Sequence, residues 1–187
     1  MYRVVFYKGD YRERQKQANL AKASCYVEHH FNASSDPSVN YALVVVASNA
    51  SRLSREWGRW YAKSIAKEFG VPIGGDNGIK VGGYSGRGNA NLLYAKMPAI
   101  LVEPLFASNP EAAAVIKSRS GRDRLAWVLV ESIRHFFPDG GLVAFSVGHK
   151  YKKTNPKDRG APIFGGGFEA DYAEEVLLIA EKLLTAF

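Results

Sequence analysis

The sequence predicts an α/β fold: a single domain with a twisted, mostly parallel or mixed sheet of about five to six strands and helices on both faces. Residues 41–47 are apolar almost without interruption, which is typical of a strand buried on both faces and disfavours a two-layer all-β fold. Amphipathic stretches separate the apolar ones, as in α/β units. A chain of 187 residues is also the length of one domain, residues 1–187.

The individual elements follow from local composition and periodicity. Apolar, β-branched or aromatic runs predict strands at residues 2–7, 25–31, 41–47, 99–105 and 142–145. Apolar residues at helical spacing, or runs of strong helix formers, predict helices at residues 12–23, 52–69, 122–137 and 169–187. Residues 138–141, Pro-Asp-Gly-Gly, form a turn after the third helix.

The charge is strongly basic, because 25 Lys and Arg residues oppose 18 Asp and Glu residues and give a net charge of +7. This balance indicates attraction to a polyanion, such as nucleic acid, anionic lipid or phosphate-bearing wall polymers. Five of the cations form a stripe on the helix at 52–69: Arg52, Arg55, Arg59, Lys63 and Lys67. The stripe is either a contact surface for an anionic partner or a solvated helix face, which is the commoner case.

Several functional classes are disfavoured. The single cysteine, Cys25, excludes an intramolecular disulfide and a cysteine-rich zinc site, and we expect it to be a buried apolar residue. No stretch approaches eighteen apolar residues, and the strand-like start of the chain lacks the pattern of a signal peptide. We therefore expect no membrane span and no export signal. No nucleic-acid recognition motif accompanies the basic stripe, so no nucleic-acid partner is expected.

Residues 74–91 contain seven glycines. The lysine and Ser/Thr spacing of a phosphate-binding P-loop is missing, and no predicted strand leads directly into the segment. Two interpretations remain open at this point: a mobile loop that contacts substrate, and an ordinary surface loop.

Polar side chains at the ends of two elements indicate a site near the C-terminus. His149 follows the strand at 142–145, and Glu169 lies in the first turn of the last helix. The two side chains can therefore meet at one end of the sheet. The pair alone is weak evidence for a metal, because a histidine at a strand end is more often a loop residue, and a third ligand must come from elsewhere.

The strand at 25–31 offers that third ligand. Side chains alternate along a strand, so Glu28 and His30 share one face and His29 takes the other. Only one of the two histidines should reach the site. On another strand, Glu103 stands among apolar residues, where a carboxylate is either paired or functional because burying it alone is unfavourable.

Four segments resemble one enzyme family. Residues 30–33, His-Phe-Asn-Ala, resemble its HANA-type segment. Residues 99–109 are similar to its PAVLVE-x-GF-x-SN stretch, and they follow Met97-Pro98 as in the family pattern. Residues 14–19 resemble an R-x-x-x-AN segment, and residues 78–80 a G-[VI]-K element. The family is that of the zinc-dependent N-acetylmuramoyl-L-alanine amidases, amidase_3.

The order of the segments is circularly permuted relative to that family. A strand ending in GH, a D-x-GA segment and a glutamate open the family pattern, whereas here residues 148–149, residues 158–161 and Glu169 come last. The joint is expected near residues 138–141. Glu28 stands where the family has a serine, and either orients His30 or faces solvent; the sequence leaves both open.

The resemblance implies a function and its residues. His30, His149 and Glu169 would hold one Zn²⁺ per chain, and Glu103 would act as acid and base. The substrate implied is the amide bond between N-acetylmuramic acid and L-alanine in peptidoglycan.

The expected setting is that of a phage endolysin, made in the host cytoplasm and acting on the cell wall after release. Peptidoglycan is the expected partner, with attraction to anionic wall polymers or outer-membrane phosphates, and the chain is expected to be a monomer. Two other classes stay open: another zinc peptidase or amidohydrolase, and a metal-free basic module that binds nucleic acid or wall.

Overall fold

Eight strands and five helices are formed by residues 1–186, the part of the chain that this computed structural model describes. The strands are β1 Tyr2–Phe6, β2 Cys25–His29, β3 Leu43–Val46, β4 Ile79–Val81, β5 Gly83–Tyr84, β6 Arg87–Gly88, β7 Ala99–Glu103 and β8 Gly141–Val147. The helices are α1 Tyr11–Leu20, α2 Arg52–Phe69, α3 Pro110–Lys117, α4 Arg119–Phe136 and α5 Glu169–Thr185.

Six of these strands form one sheet in the order β1-β8-β2-β7-β3-β4. Strands β1, β8, β2 and β7 are parallel to one another, whereas β3 runs antiparallel to β7 and β4 parallel to β3. The register places Glu28 of β2 beside Ser146 of β8. Because four neighbouring parallel strands end at the same edge, the residues that follow them converge there.

Helices cover both faces of the sheet, as predicted, but unequally. In the larger core, α2, α4 and α5 pack against the sheet, with Val27 and Phe145 contributed by strands and Trp57 by α2. On the opposite face, α1 and the segment before β7 cover Tyr26 and Leu101. Alternation along each strand separates the two cores, so neighbouring residues of β2 face opposite ways. The predicted single α/β domain with a mixed sheet is confirmed.

The helix ends explain where sequence patterns succeed and fail. Helix α2 begins and ends as predicted, because Ser51 accepts a hydrogen bond from the Ser54 backbone N–H and Gly70 ends the helix at φ +66°. Helix α3 was not predicted, although Asn109 caps it and Pro110 occupies its first turn. Helix α5 begins at Glu169 as predicted; the expected final residue, Phe187, lies outside the described residues.

The glycine-rich segment is more structured than the sequence indicated. It contains β4, which pairs with β3, and the short antiparallel hairpin β5–β6. Within residues 1–186, no helix combines the length and the apolarity that crossing a membrane requires. Cys25 is a fully buried free cysteine, as expected.

Candidate metal and acid–base site

Three side chains converge at the edge of the sheet where β2 and β8 end. His30, His149 and Glu169 each offer one nitrogen or oxygen, and these atoms lie within 4.8 Å of one another. His149 Nε2 is 2.9 Å from Glu169 Oε1, and His30 Nδ1 is 4.0 Å from Glu169 Oε2. Two imidazoles and a carboxylate match the donor set of a catalytic zinc site with an open position. The residues present therefore fit the metal that the sequence predicts.

Glu169 is fixed by its place in the first turn of α5 and by backbone donors. Its Oε2 accepts a hydrogen bond from the Phe31 N–H at 2.8 Å, and its Oε1 accepts one from the Ala161 N–H at 2.9 Å. Burial would raise the pKa of Glu169, but the hydrogen bond from His149 and the nearby imidazoles outweigh it and lower the pKa. The carboxylate is therefore held in its charged form, and each of its oxygens is oriented by a backbone N–H.

His30 is held by Glu28, whose carboxylate lies on the same face of the strand. Its Nε2 is 2.9 Å from Glu28 Oε1, which leaves Nδ1 on the side of Glu169 and His149. Glu28 is 1% exposed, so of the two possibilities left open by the sequence the structure shows a buried partner of His30. Strand alternation places Glu28 and His30 on one face but does not report burial, so this contact could not be predicted from the sequence.

The surroundings of Glu28 form a buried polar network. Besides His30, its carboxylate accepts hydrogen bonds from Tyr26 Oη at 3.2 Å, from Ser146 Oγ at 3.2 Å and from the Asn91 amide. The Arg14 guanidinium lies 4.0 Å away. Burial alone would raise the pKa of Glu28, but His30, Arg14 and Asn91 together hold the pKa at about 2.

Arg14 is itself buried and is bound mostly by backbone oxygens. It donates to the carbonyls of Gly9, Val147 and Lys150 and, at 2.6 Å, to Ser146 Oγ. The arginine thus ties α1 to the end of β8 and to the loop that carries His149. In the sequence, Arg14 is visible only as part of a family segment, and no local pattern indicates this role.

His149 is oriented from the loop side of the site. Its Nδ1 lies 3.0 Å from both carboxylate oxygens of Asp158, which leaves Nε2 toward Glu169. Lys152 Nζ is 2.8 Å from Asp158 Oδ2, and burial, which would raise the pKa of Asp158, is outweighed by Lys152, Gly160 and His149. Asp158 was recognised in the sequence only as part of a family segment, and its contact with His149 is new.

Two glycines leave the space that the candidate ligands occupy. A Cβ atom at Gly148 would overlap the His30 ring, and one at Gly160 would overlap the Glu169 carboxylate. Gly160 also has φ +71°, a conformation that side chains disfavour. The close packing of the site therefore depends on the absence of side chains at both positions.

Glu103, the last residue of β7, differs from the other acids of the site. Its Oε2 accepts one hydrogen bond, from Asn32 Nδ2 at 2.9 Å, and among the described residues it belongs to no salt bridge. Burial raises the pKa of Glu103 to about 7. The positive charge of His30 partly offsets this increase, and the negative charge of Glu169 adds to it. The carboxyl can therefore exchange a proton near neutral pH, as a general acid or base must. The ion pair that was the alternative explanation for Glu103 is absent from residues 1–186.

His29 faces away from the site, as the strand alternation predicted. It is fully buried, its ring lies 5.1 Å from that of Phe31, and burial followed by the proximity of His30 lowers its pKa to about 3. His29 is therefore a neutral core residue and is not part of the group of His30, His149 and Glu169.

Three of the five cations in the basic stripe on α2 contact neighbouring residues. Arg52 pairs with Glu56 at 2.7 Å, Arg59 pairs with Asp76 at 2.7 Å, and Arg55 donates to backbone carbonyls. These contacts favour the solvated helix face over a dedicated anion-binding surface.

Comparison with known proteins identifies relatives of this chain. A family model described as N-acetylmuramoyl-L-alanine amidase, Amidase_3, matches residues 2–135. The match includes His30 and Glu103 and ends before His149 and Glu169. No protein with a curated function matches the chain.

Solved structures share the fold. The catalytic domain of CwlV, an N-acetylmuramoyl-L-alanine amidase from Bacillus (Paenibacillus) polymyxa var. colistinus, is 22% identical with a TM-score of 0.56, over 69% of this chain and 66% of that one. An N-acetylmuramyl-L-alanine amidase from Mycobacterium smegmatis is 25% identical with a TM-score of 0.59, over 68% and 60%. One from Clostridium difficile 630 is 24% identical with a TM-score of 0.59, over 71% and 67%. The alignments thus span about two thirds of these structures or slightly less.

Proposed function

Because the chain belongs to the N-acetylmuramoyl-L-alanine amidase family, Amidase_3, we propose that it is a zinc-dependent hydrolase of the amide bond between N-acetylmuramic acid and L-alanine in peptidoglycan. The observation that carries the proposal is the convergence of His30, His149 and Glu169, beside a carboxyl, Glu103, whose pKa is raised to about 7. Family membership gives the reaction class, and the donor set gives the metal.

The residues of this chain would divide the work as follows. His30 through Nδ1, His149 through Nε2 and Glu169 through its carboxylate would hold Zn²⁺, which when bound polarises the carbonyl and makes water acidic near neutral pH. Glu103 in its carboxylate form takes a proton from the attacking water. It then donates that proton to the alanine nitrogen as the amide C–N bond breaks. The new lactyl carboxyl group passes its remaining proton to the released amine or to solvent, which leaves a lactyl carboxylate. Asn32 holds the Glu103 carboxylate by its amide hydrogen bond.

We also propose that the chain is a circular permutation of the family pattern. The family match stops at residue 135, while β8, His149 and Glu169 come from later residues. Strand β8 nevertheless lies between β1 and β2, where it brings His149 next to His30. A segment that follows the matched region in sequence thus completes the middle of the sheet, which supports a joint near residues 138–141. The phage-lysin setting and the monomeric state stay predictions.

The test combines metal content with product analysis. We expect the purified chain to contain about one zinc ion, and to release from peptidoglycan peptides with a free L-alanine amine and glycan with free lactyl carboxyl groups, as identified by mass spectrometry. His30→Ala, His149→Ala and Glu169→Ala should each lose zinc and activity. His135→Ala is the matched control, because this exposed histidine stacks on Trp60 outside the site and should keep both.

Each alternative has its own outcome. Cleavage between amino acids of the peptide instead of at the lactyl amide would support another zinc peptidase or amidohydrolase. Full activity in EDTA-treated, metal-free protein would overturn the zinc mechanism. A third outcome would support a binding module: the protein contains no metal even after purification in the presence of zinc, and it binds peptidoglycan without cleaving it.

A further inference from the structure

The two candidate histidine ligands are each held by a carboxylate, but only one of these carboxylates is deeply buried. Asp158 contacts His149 from a partly exposed loop, with a side chain 18% exposed, whereas Glu28 contacts His30 from inside the sheet and is 1% exposed. A buried charge is retained only where it is well paired, since its desolvation is unfavourable. Two neighbours, His30 and Arg14, could be the partner that the Glu28 carboxylate binds.

The distances favour His30 over Arg14. Glu28 Oε1 is 2.9 Å from His30 Nε2, whereas the nearest Arg14 nitrogen is 4.0 Å from Oε2. Arg14 already donates to three backbone carbonyls and to Ser146 Oγ, so it does not need Glu28 as a hydrogen-bond acceptor. Glu28 is therefore the direct partner of the imidazole, and Arg14 supplies charge from a longer range.

The contact also selects between the two nitrogens of His30. A carboxylate accepts only hydrogen bonds, so the neutral imidazole beside it carries its proton on Nε2 and presents the lone pair of Nδ1. Nδ1 is the nitrogen that faces Glu169. A ring free to adopt the other tautomer would present a protonated Nδ1, which cannot bind a metal.

We propose that Glu28 is a positioning residue that fixes the tautomer and the ring orientation of His30, so that Nδ1 is available to the metal. The proposal rests on the proposed function in that His30 is taken as a ligand. The donors Tyr26, Ser146 and Asn91 hold the Glu28 carboxylate in place and thereby make the orientation rigid.

The experiment compares zinc affinity in three variants by competition with a chromophoric chelator. Glu28→Ala should weaken zinc binding about 10- to 100-fold, the range typical for loss of such a partner. Glu28→Gln keeps an acceptor oxygen but loses the charge, and should fall between Glu28→Ala and wild type. Glu56→Ala is the matched control: it makes the same truncation at an exposed glutamate of α2 that pairs with Arg52, and should bind zinc as wild type does.

A second measurement does not depend on the variants being folded. In metal-free wild-type protein, nitrogen-15 NMR at a pH high enough that the His30 ring is neutral should show the proton on Nε2 and none on Nδ1. A proton on Nδ1 of the neutral ring overturns the proposal, as does a folded Glu28→Ala variant whose zinc affinity lies within about twofold of the Glu56→Ala control. Wild-type protein that binds no zinc would instead contradict the proposed function, and would leave the NMR result to decide the tautomer on its own.

Discussion

Glu28 and Glu103 are the same kind of residue on neighbouring strands of one sheet, yet their surroundings give them opposite acidities. The pKa of Glu28 is held at about 2, and the pKa of Glu103 is raised to about 7. Both carboxylates are desolvated, so burial alone does not separate them. Glu28 accepts hydrogen bonds from four side chains, whereas Glu103 accepts one, from Asn32.

The contrast teaches how one site obtains two carboxylates with different tasks. A carboxylate with many donors and a nearby cation stays charged and can only orient its neighbours. A carboxylate with few donors titrates near neutral pH and can transfer protons. The number of donors around each residue therefore assigns Glu28 to positioning and supports Glu103 as the acid and base.

The largest expected effect is on turnover. Glu103→Gln preserves the shape and the contact with Asn32 but cannot accept a proton, so kcat on peptidoglycan fragments should fall about 10²- to 10⁴-fold. Zinc content should be unchanged, because Glu103 is outside the group of His30, His149 and Glu169. Steady-state kinetics with metal analysis checks this, and a variant with more than about a tenth of wild-type kcat would remove Glu103 from the acid–base role.

The next largest effect is on stability, and it concerns Arg14, the cation near Glu28. Arg14→Met leaves the buried Glu28 carboxylate without its nearby positive charge, and should lower the free energy of unfolding by about 3–5 kcal/mol. Lys152→Met is the matched control, because it removes a cation 2.8 Å from Asp158 on the more exposed side of the site. The control should lose about 0–1 kcal/mol. Urea unfolding of both variants measures the difference, and equal losses would contradict the asymmetry between the two sides.

A smaller effect is the pH dependence of stability. Glu103 has a pKa of about 7 in the folded chain against an ordinary value of 4.5, so between these values the folded state holds a proton that the unfolded state has lost. The wild-type free energy of unfolding therefore falls as pH rises through this window. Glu103→Gln does not ionise and escapes that loss.

In metal-free protein, the wild type and the Glu103→Gln variant should have equal free energies of unfolding near pH 4. The Gln variant should gain an advantage on the order of 1–3 kcal/mol by pH 8. Denaturant unfolding at several pH values in EDTA gives the curve. A constant difference across this range would mean that the carboxyl titrates normally and that the contrast with Glu28 is wrong.

The smallest effect tests the single donor of Glu103. Asn32→Ala removes a hydrogen bond that favours the carboxylate, so the acidic limb of the kcat/KM profile should move to higher pH by less than about one pH unit. Asn49→Ala is the control, since the Asn49 amide donates to the Leu93 carbonyl instead. A movement to lower pH would show that the amide does not stabilise the charged form.

Much of the fold could be predicted because it depends on local patterns. The apolar run of β3 indicated a strand buried on both faces, and α2 was correctly bounded because its caps, Ser51 and Gly70, are local signals. The antiparallel direction of β3 could not be predicted, since alternation is the same in both directions. Strand β4 was missed because its three residues lie among glycines. The cap of α3 was visible in Asn109 and Pro110, but was not recognised.

The candidate site divides in the same way. The family segments indicated His30, His149, Glu169 and Glu103, and their roles remain predictions. The burial of Glu28 could not be predicted, because its partners Asn91 and Ser146 are 63 and 118 residues away in sequence. Polar networks formed across strands have no periodic signature, so such residues emerge only from the three-dimensional arrangement.

The missing side chain at Gly148 gives a way to disrupt the proposed metal site without changing any of its donor atoms. The backbone of Gly148 is not in the left-handed region, so its conformation would accept a side chain. What excludes a side chain is the clash with the His30 ring. Gly148→Ala would place a single methyl group where the imidazole now lies and push the ring aside. That substitution offers a sterically inactivated chain for binding studies, with all three donors and Glu103 still present.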